Sequence, residues 1–151
     1  MGLDTLRLNE LSTTQKQIQH IRKLGLSLVS VPAPHLGTSA LSFCFNLDGT
    51  RIVVSGDTDV SENLSTIVCG ADLFLCECST PDKNKIPGHL SPSTIKGILE
   101  ACVDPPKKIV LTHFYPWCDG QDLITEITSM YSREVILAED LMTIEVVYGE
   151  S

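Results

Sequence analysis

Aromatic residues are scarce in this chain, at 5% with a single tryptophan. Positive charge is scarce as well: 11 lysines and arginines face 19 aspartates and glutamates, for a formal net charge of -8. No cluster of basic residues overrides that balance, which argues against a general nucleic-acid surface. A small phosphorylated or nucleotide substrate stays open, because a metal can supply positive charge locally. No apolar run approaches the ~20 residues that cross a bilayer, so no membrane association is expected. The opening residues, Met1 to Thr5, lack a basic segment followed by an apolar one, and no secretory leader is read there. Leu6 stands where N-myristoylation needs Ser or Thr. Cys44, Cys69, Cys76, Cys78, Cys102 and Cys118 form no Cys-x-x-Cys pair and no zinc-finger spacing. Most lie in apolar runs, so they are expected to be free, buried thiols in a reducing cytoplasm. There is no internal repeat and no low-complexity segment.

Three short apolar runs organise the chain, and each delivers a chemically useful residue at its end. Ile52-Val53-Val54-Ser55-Gly56 ends in Asp57, Leu73-Phe74-Leu75-Cys76 in Glu77, and Lys108-Ile109-Val110-Leu111-Thr112 in His113. Such runs, broken by Gly or a polar residue, read as buried strands. If the strands are parallel, their carboxyl ends meet along one edge, where α/β folds place their chemistry. A chain of 151 residues holds one domain with a real core.

In chain order, Ser12 to Gln15 offers a cap for a helix over 15–24, with Ile18, Ile21 and Leu24 at helical spacing, Gly25 as its stop and His20 on its polar side. Residues 1–24 thus read as a helical connector and 25–151 as the folded domain. Strands are expected over 26–31 and 41–47, with Pro32 and Pro34 forcing an extended path to His35. Asp48-Gly49 predicts a hairpin into a strand over 51–55, so the first part is antiparallel. Helices are expected over 61–68, from Ser91-Pro92 to about Val103, and over 121–131, giving about four in all. They alternate with strands over 72–77 and 107–112, and two short strands, 134–138 and 142–147, close the chain. The fold class is α/β with a mixed sheet. Sheet runs that are apolar on both faces require cover on both faces. Right-handed crossovers put successive helices on one face unless strand order reverses, so the other face is short of cover from this chain.

Taken together, Val31 to His35, Ser39 to Phe43, Ser55-Gly56-Asp57-Thr58, Ala71 to Glu77, His89 to Pro92, Leu111 to Pro116 and Ala138 to Met142 resemble, in order, the metallo-β-lactamase superfamily of metal-dependent hydrolases. The resemblance covers about residues 25–147 and is nearest the ribonuclease Z-like, phosphodiesterase-type branch, because of Glu77 and His89. It implies that His35 binds one metal, Asp57 bridges two and also serves catalysis, and His113 binds the second. The metal would be zinc, with manganese or iron as alternatives. It further implies that His89 protonates the leaving oxygen and that Glu77 orients it. The family signature His-x-His-x-Asp-His is absent, so the likeness is to the C-terminal half of a four-layer αββα sandwich. Three ligands shared between two metal positions do not make a dinuclear centre. A complementary N-terminal half chain or a homo-oligomer is therefore expected, or a chain cut from a longer one.

Plainer readings stand beside these. Asp57 suits a turn or a helix cap. His113 and His35 suit satisfied edge histidines, and Glu77 with His89 suits a structural tie. Cys76 and Cys78 share a strand face and read as core more than as thiolate ligands. Phe114, Tyr115 and Trp117 line a pocket or cover the sheet end. For function, a metal-dependent phosphodiester hydrolase leads. A catalytically degenerate, self-associating or partner-binding module is the alternative, and a thioesterase-type hydrolase a weaker one.

Overall fold

The computed structural model describes residues 10–21, 24–129 and 131–146. Among them, seven strands form one sheet in sequential order: β1 (Gln17–Ile21), β2 (Leu26–His35), β3 (Thr38–Leu47), β4 (Thr50–Val54), β5 (Leu73–Glu77), β6 (Lys108–Thr112) and β7 (Glu134–Leu137). β1 to β4 pair antiparallel and β4 to β7 pair parallel. This is the mixed sheet expected from the sequence. The helices α1 (Glu62–Val68), α2 (Pro92–Glu100) and α3 (Gly120–Thr128) link the parallel strands.

The turn chemistry explains the hairpins. Asp48 and Gly49 both take positive φ, 49° and 88°, between the paired ends Leu47 and Thr50. A two-residue turn of that hand matches the twist of the strands. β2 and β3 run further than expected and meet at His35 and Thr38 around Gly37, which has φ 73°. Pro32 and Pro34 do not stop β2, because its pairing with β1 ends at Ser30. Beyond that point β2 is an edge strand and needs no outward N–H donor.

Four expectations are corrected. Residues 17–21 form β1, not part of a helix over 15–24. The three-residue spacing of Ile18 and Ile21 fits a helix and not a strand, and pairing with β2 overrides that local pattern. Gly25, expected to stop that helix, instead takes positive φ in the turn into β2. Three α-helices are present among the described residues, where about four were expected. Residues 142–146 form no strand, and the remainder of that expected strand lies outside the described residues. Finally, Cys69 and Cys102 are not free thiols but a disulfide joining the end of α1 to the end of α2. No sequence spacing marks that pair; proximity of the two helix ends makes it. Cys44, Cys76, Cys78 and Cys118 are free. Cys76 and Cys78 pack in the core, as read, and burial raises both thiol pKa values.

Sequential strand order leaves no reversal, so the three crossovers turn the same way. Accordingly Leu64, Ile67 and Val68 of α1, Ile95 and Ile98 of α2, and Leu123 and Ile127 of α3 share one core with Val53, Phe74, Cys76, Ile109 and Leu111. The registers Phe43↔Val54↔Leu75↔Val110↔Ile136 and Phe45↔Ile52↔Leu73 put those side chains on the other face. None of them belongs to the core beneath the helices. Phe43, Phe45, Ile52, Val54, Leu75 and Ile136 on that face are half-buried, while Leu73 and Val110 among them are buried. No helix among the described residues is long and apolar enough to cross a membrane.

Candidate functional site

The carboxyl edge of β4, β5 and β6 is where the candidate residues gather. β4 is followed two residues later by Gly56, whose φ is +60° and whose Cβ, if present, would stand 2.6 Å from the Leu41 carbonyl oxygen. Only glycine tolerates both constraints, and the turn it allows presents Asp57. Asp57 is not a helix cap: Ser61 caps α1 by accepting from the Leu64 N–H at 3.2 Å. β6 is followed directly by His113, a non-glycine residue at φ 62°. Left-handed backbone in a bulky residue costs energy and recurs at functional sites. Its Nδ1 lies 3.7 Å from Asp57 Oδ1, with both side chains nearly half-exposed.

Glu77, at the end of β5, is 2% exposed. A buried carboxylate needs partners, and this one has several. Oε1 accepts from the Thr58 N–H at 2.6 Å, and Oε2 from Ser79 Oγ at 2.7 Å. His89 Nδ1 sits 3.0 Å from Oε2. An ionised carboxylate only accepts, so Nδ1 carries the hydrogen and the neutral ring leaves Nε2 bare. His35, at the end of β2, repeats this arrangement with a carbonyl, its Nδ1 lying 3.0 Å from Gly88 O.

The three rings adjoin. His35 meets His89 edge-on at 4.8 Å between centroids, and His89 stacks on His113 at 5.4 Å. A cavity of about 170 Å³ is lined by Val54, Gly56, Asp57, Leu75, Glu77 and His113, among others. Val54 and Leu75 belong to the half-exposed sheet face, so that face and the cavity are continuous. Tyr115 lies edge-on to His89 at 6.2 Å and tilts against Trp117, which is 56% exposed. Phe114 instead packs on the core.

All five sequence-nominated residues, His35, Asp57, Glu77, His89 and His113, are therefore brought to one edge. They do not amount to a metal site on their own. Among the described residues no three His, Cys, Asp or Glu side chains are grouped so as to hold an ion. His113 and Asp57 form a near pair, while His35 and His89 are each tied through Nδ1 to the protein. The residues present do not fit a complete metal centre. Ser79 and Asp59 were missed in the sequence. Ser79 gives Glu77 a second donor, and Asp59 ties the loops together. Neither follows a strand run, so no sequence pattern marked them.

No family model matches the chain. An uncharacterized protein of Mycobacterium tuberculosis is 31% identical over 87 residues, 58% of this chain and 32% of that protein. One from Mycobacterium leprae is 32% identical over 87 residues, covering 58% and 31%. Among solved structures, the metallo-β-lactamase fold protein YhfI from Bacillus subtilis superposes with a TM-score of 0.72 at 17% identity, over 82% of this chain and 50% of its own. The short form of human tRNase Z gives a TM-score of 0.64 at 23% identity, over 87% and 47%. A diphosphatase from the PhnP family gives 0.60 at 15%, over 87% and 47%. The fold is of the metallo-β-lactamase type, and the chain spans about half the length of these structures.

Proposed function

We propose that this chain is one half, the C-terminal one, of a metal-dependent hydrolase that cleaves a phosphodiester. The observation that carries this reading is the buried Glu77–His89 pair, set beside His35, His113 and Asp57 at one sheet edge. A carboxylate beside a ring favours its charged form, and once Nε2 has taken up a proton the imidazolium can hand that proton to a leaving oxygen and return to the neutral Nδ1–H ring. In this role His89 is the acid and Glu77 and Ser79 orient it. His35, Asp57 and His113 supply part of a ligand set for zinc, manganese or iron. Fold neighbours that include a tRNase Z and a diphosphatase favour phosphorus chemistry.

The missing donors belong to a complementary half of the fold. Its seat is the half-exposed face of Phe43, Phe45, Ile52, Val54 and Leu75, because that face runs into the cavity at Asp57 and His113. The occupant carries His and Asp donors and an apolar sheet face, whether it comes from a longer form of the polypeptide or from a separate chain. A second copy would cover the face without adding new ligand types.

The test has two arms. Bis(p-nitrophenyl) phosphate and a thioester are offered, with zinc or manganese, to the chain alone and to the chain mixed with the part of the Bacillus subtilis neighbour that it lacks. Little or no turnover is expected alone, and phosphodiester cleavage once complemented, reduced about 10²-fold or more by His89→Ala. Turnover by the isolated monomer would overturn the half-site reading. Thioester cleavage without phosphodiester cleavage would overturn the substrate class. The lack of a three-donor group among the described residues favours a rival, a fold module that lost its chemistry. Absence of turnover from an assembly that demonstrably forms would favour that rival.

A further inference from the structure

Asp59 ties together three segments that carry site residues. Its backbone N–H donates to the Pro34 carbonyl at 2.7 Å, one residue before His35. Its carboxylate accepts from the Gly88 N–H at 3.2 Å, one residue before His89. Lys85 Nζ bridges both carboxylate oxygens, at 3.1 and 3.0 Å, and the Val60 N–H adds a further bond at 2.8 Å. Asp59 itself follows Asp57 by two positions.

The Gly88 carbonyl lies on the far side of the same residue and faces His35 Nδ1 at 3.0 Å. Gly88 has φ +84°, and a Cβ there would meet Leu36 Cγ at 2.7 Å and Leu36 N at 3.1 Å. The loop is thus pressed against the turn that follows His35, and any residue but glycine would push it away. A carbonyl only accepts, so this contact selects the Nδ1–H form of the His35 ring. Outer partners of this kind fix ring orientation and decide which nitrogen keeps its lone pair.

We propose that Asp59 and Lys85 are positioning residues that hold Gly88 through its N–H so that its carbonyl, in the following peptide unit, locks His35 in the Nδ1–H tautomer, leaving Nε2 free for the site. The purpose of this device rests on the hydrolase reading, but its existence does not. The ring state is a property of the metal-free chain and is read without substrate.

The experiment is a long-range ¹H–¹⁵N correlation of the histidine ring nitrogens in the full chain, at a pH where the rings are neutral. The wild type is expected to show His35 protonated at Nδ1. Asp59→Ala is expected to lower the Nδ1–H to Nε2–H ratio of His35 by about five- to tenfold, the loss of roughly one net hydrogen bond. His89, held by Glu77, should keep its pattern in the same sample. Asp59→Asn retains an oxygen for the Gly88 N–H and should restore most of the wild-type ratio. Lys85→Met leaves every backbone contact in place and should give a smaller shift in the same direction, and it carries the test if Asp59→Ala fails to fold. An unchanged His35 pattern in Lys85→Met and in a folded Asp59→Ala overturns the proposal. So does a parallel change at His89 and His113, which marks general loosening. Failure of the phosphodiester assay leaves this result untouched.

Discussion

On one face of the sheet Val53, Phe74, Ile109 and Leu111 lie fully buried beneath three helices. On the other, Phe43, Phe45, Ile52, Val54 and Leu75 stay half-exposed although their side chains are of the same kind. The difference lies in connectivity, not composition. Sequential strand order sends every crossover to the same side, so one chain covers one face. Apolar residues left at the surface in register, across neighbouring strands, are what an unfilled interface looks like. The site sits where the faces meet at the sheet edge. Its cavity wall is made by the open face, on which Glu77 follows Leu75 by two positions.

The sharpest way to break this comparison is a pair of matched truncations. Phe74→Ala should cost about 3–5 kcal/mol, the range for emptying a filled core site. Phe45→Ala should cost less than that in the isolated chain, because its side chain is only partly buried. Urea unfolding of both variants decides. Equal losses would mean that the open face is packed by something in the isolated chain, and the contrast between the faces would fail.

Next in size is the link between α1 and α2. The Cys69–Cys102 disulfide closes a 33-residue separation, for which about 2–4 kcal/mol is expected. Reduction, or Cys69→Ser with Cys102→Ser, should lower the melting temperature of the covered side without altering exposure of Phe45. Tryptophan-independent probes such as amide exchange can report the two faces separately. A melting temperature indifferent to reductant would remove the disulfide from the account.

Much of this architecture was legible in the sequence, for reasons that also explain the gaps. Runs such as Ile52-Val53-Val54 followed by Gly56 and Asp57 report a strand and its end together, because burial and turn chemistry act on adjacent residues. Asp48-Gly49 works the same way. The gathering of Glu77, Asp57 and His113 followed from strand parallelism alone. By contrast, β1 was read as helix because its isoleucines stand three apart, a helical spacing that the fold overrides. Only pairing with β2 discriminates, and pairing is not local. The Asp59, Lys85 and Gly88 network joins two loops 26 or more residues apart in sequence, so no short window contains it. The positive φ of His113 likewise comes from what surrounds it, since nothing in Thr112-His113-Phe114 demands it.

A smaller effect probes the edge where the two faces join. Gly56→Ala meets both a positive φ and a carbonyl oxygen 2.6 Å from the new Cβ, with no flexible side chain to yield. A loss of about 1–3 kcal/mol is expected. Gly97→Ala, in the middle of α2 with open space around it, should instead stabilise by about 0.5–1 kcal/mol. Chemical denaturation of the two variants should therefore shift in opposite directions. Same-sign shifts would show that the turn at Asp57 is not held by Leu41.

The smallest expected effect concerns how α2 is anchored. Asp82 accepts from Ser91 Oγ at 2.6 Å, from the Ser93 N–H at 3.0 Å and from Ser93 Oγ at 2.8 Å. Partial burial pushes its pKa up, but the bonds from Ser91 and Ser93 outweigh it, so the carboxyl is held below its ordinary range. A carboxylate whose folded pKa is depressed contributes stability above its unfolded pKa. That contribution is lost as pH falls through the folded value. Asp82→Asn should therefore cost about 1 kcal/mol near neutrality, the usual worth of a helix-start anchor. The gap between variant and wild type should close as the solution is acidified past the ordinary aspartate range. Because Ser91 follows His89 by two residues, this anchor also bears on the placement of His89. A gap that persists in acid would mean that Asp82 acts through its shape and not its charge. The loop bearing His89 would then rest on the Lys85–Asp59 pair alone for its electrostatic hold.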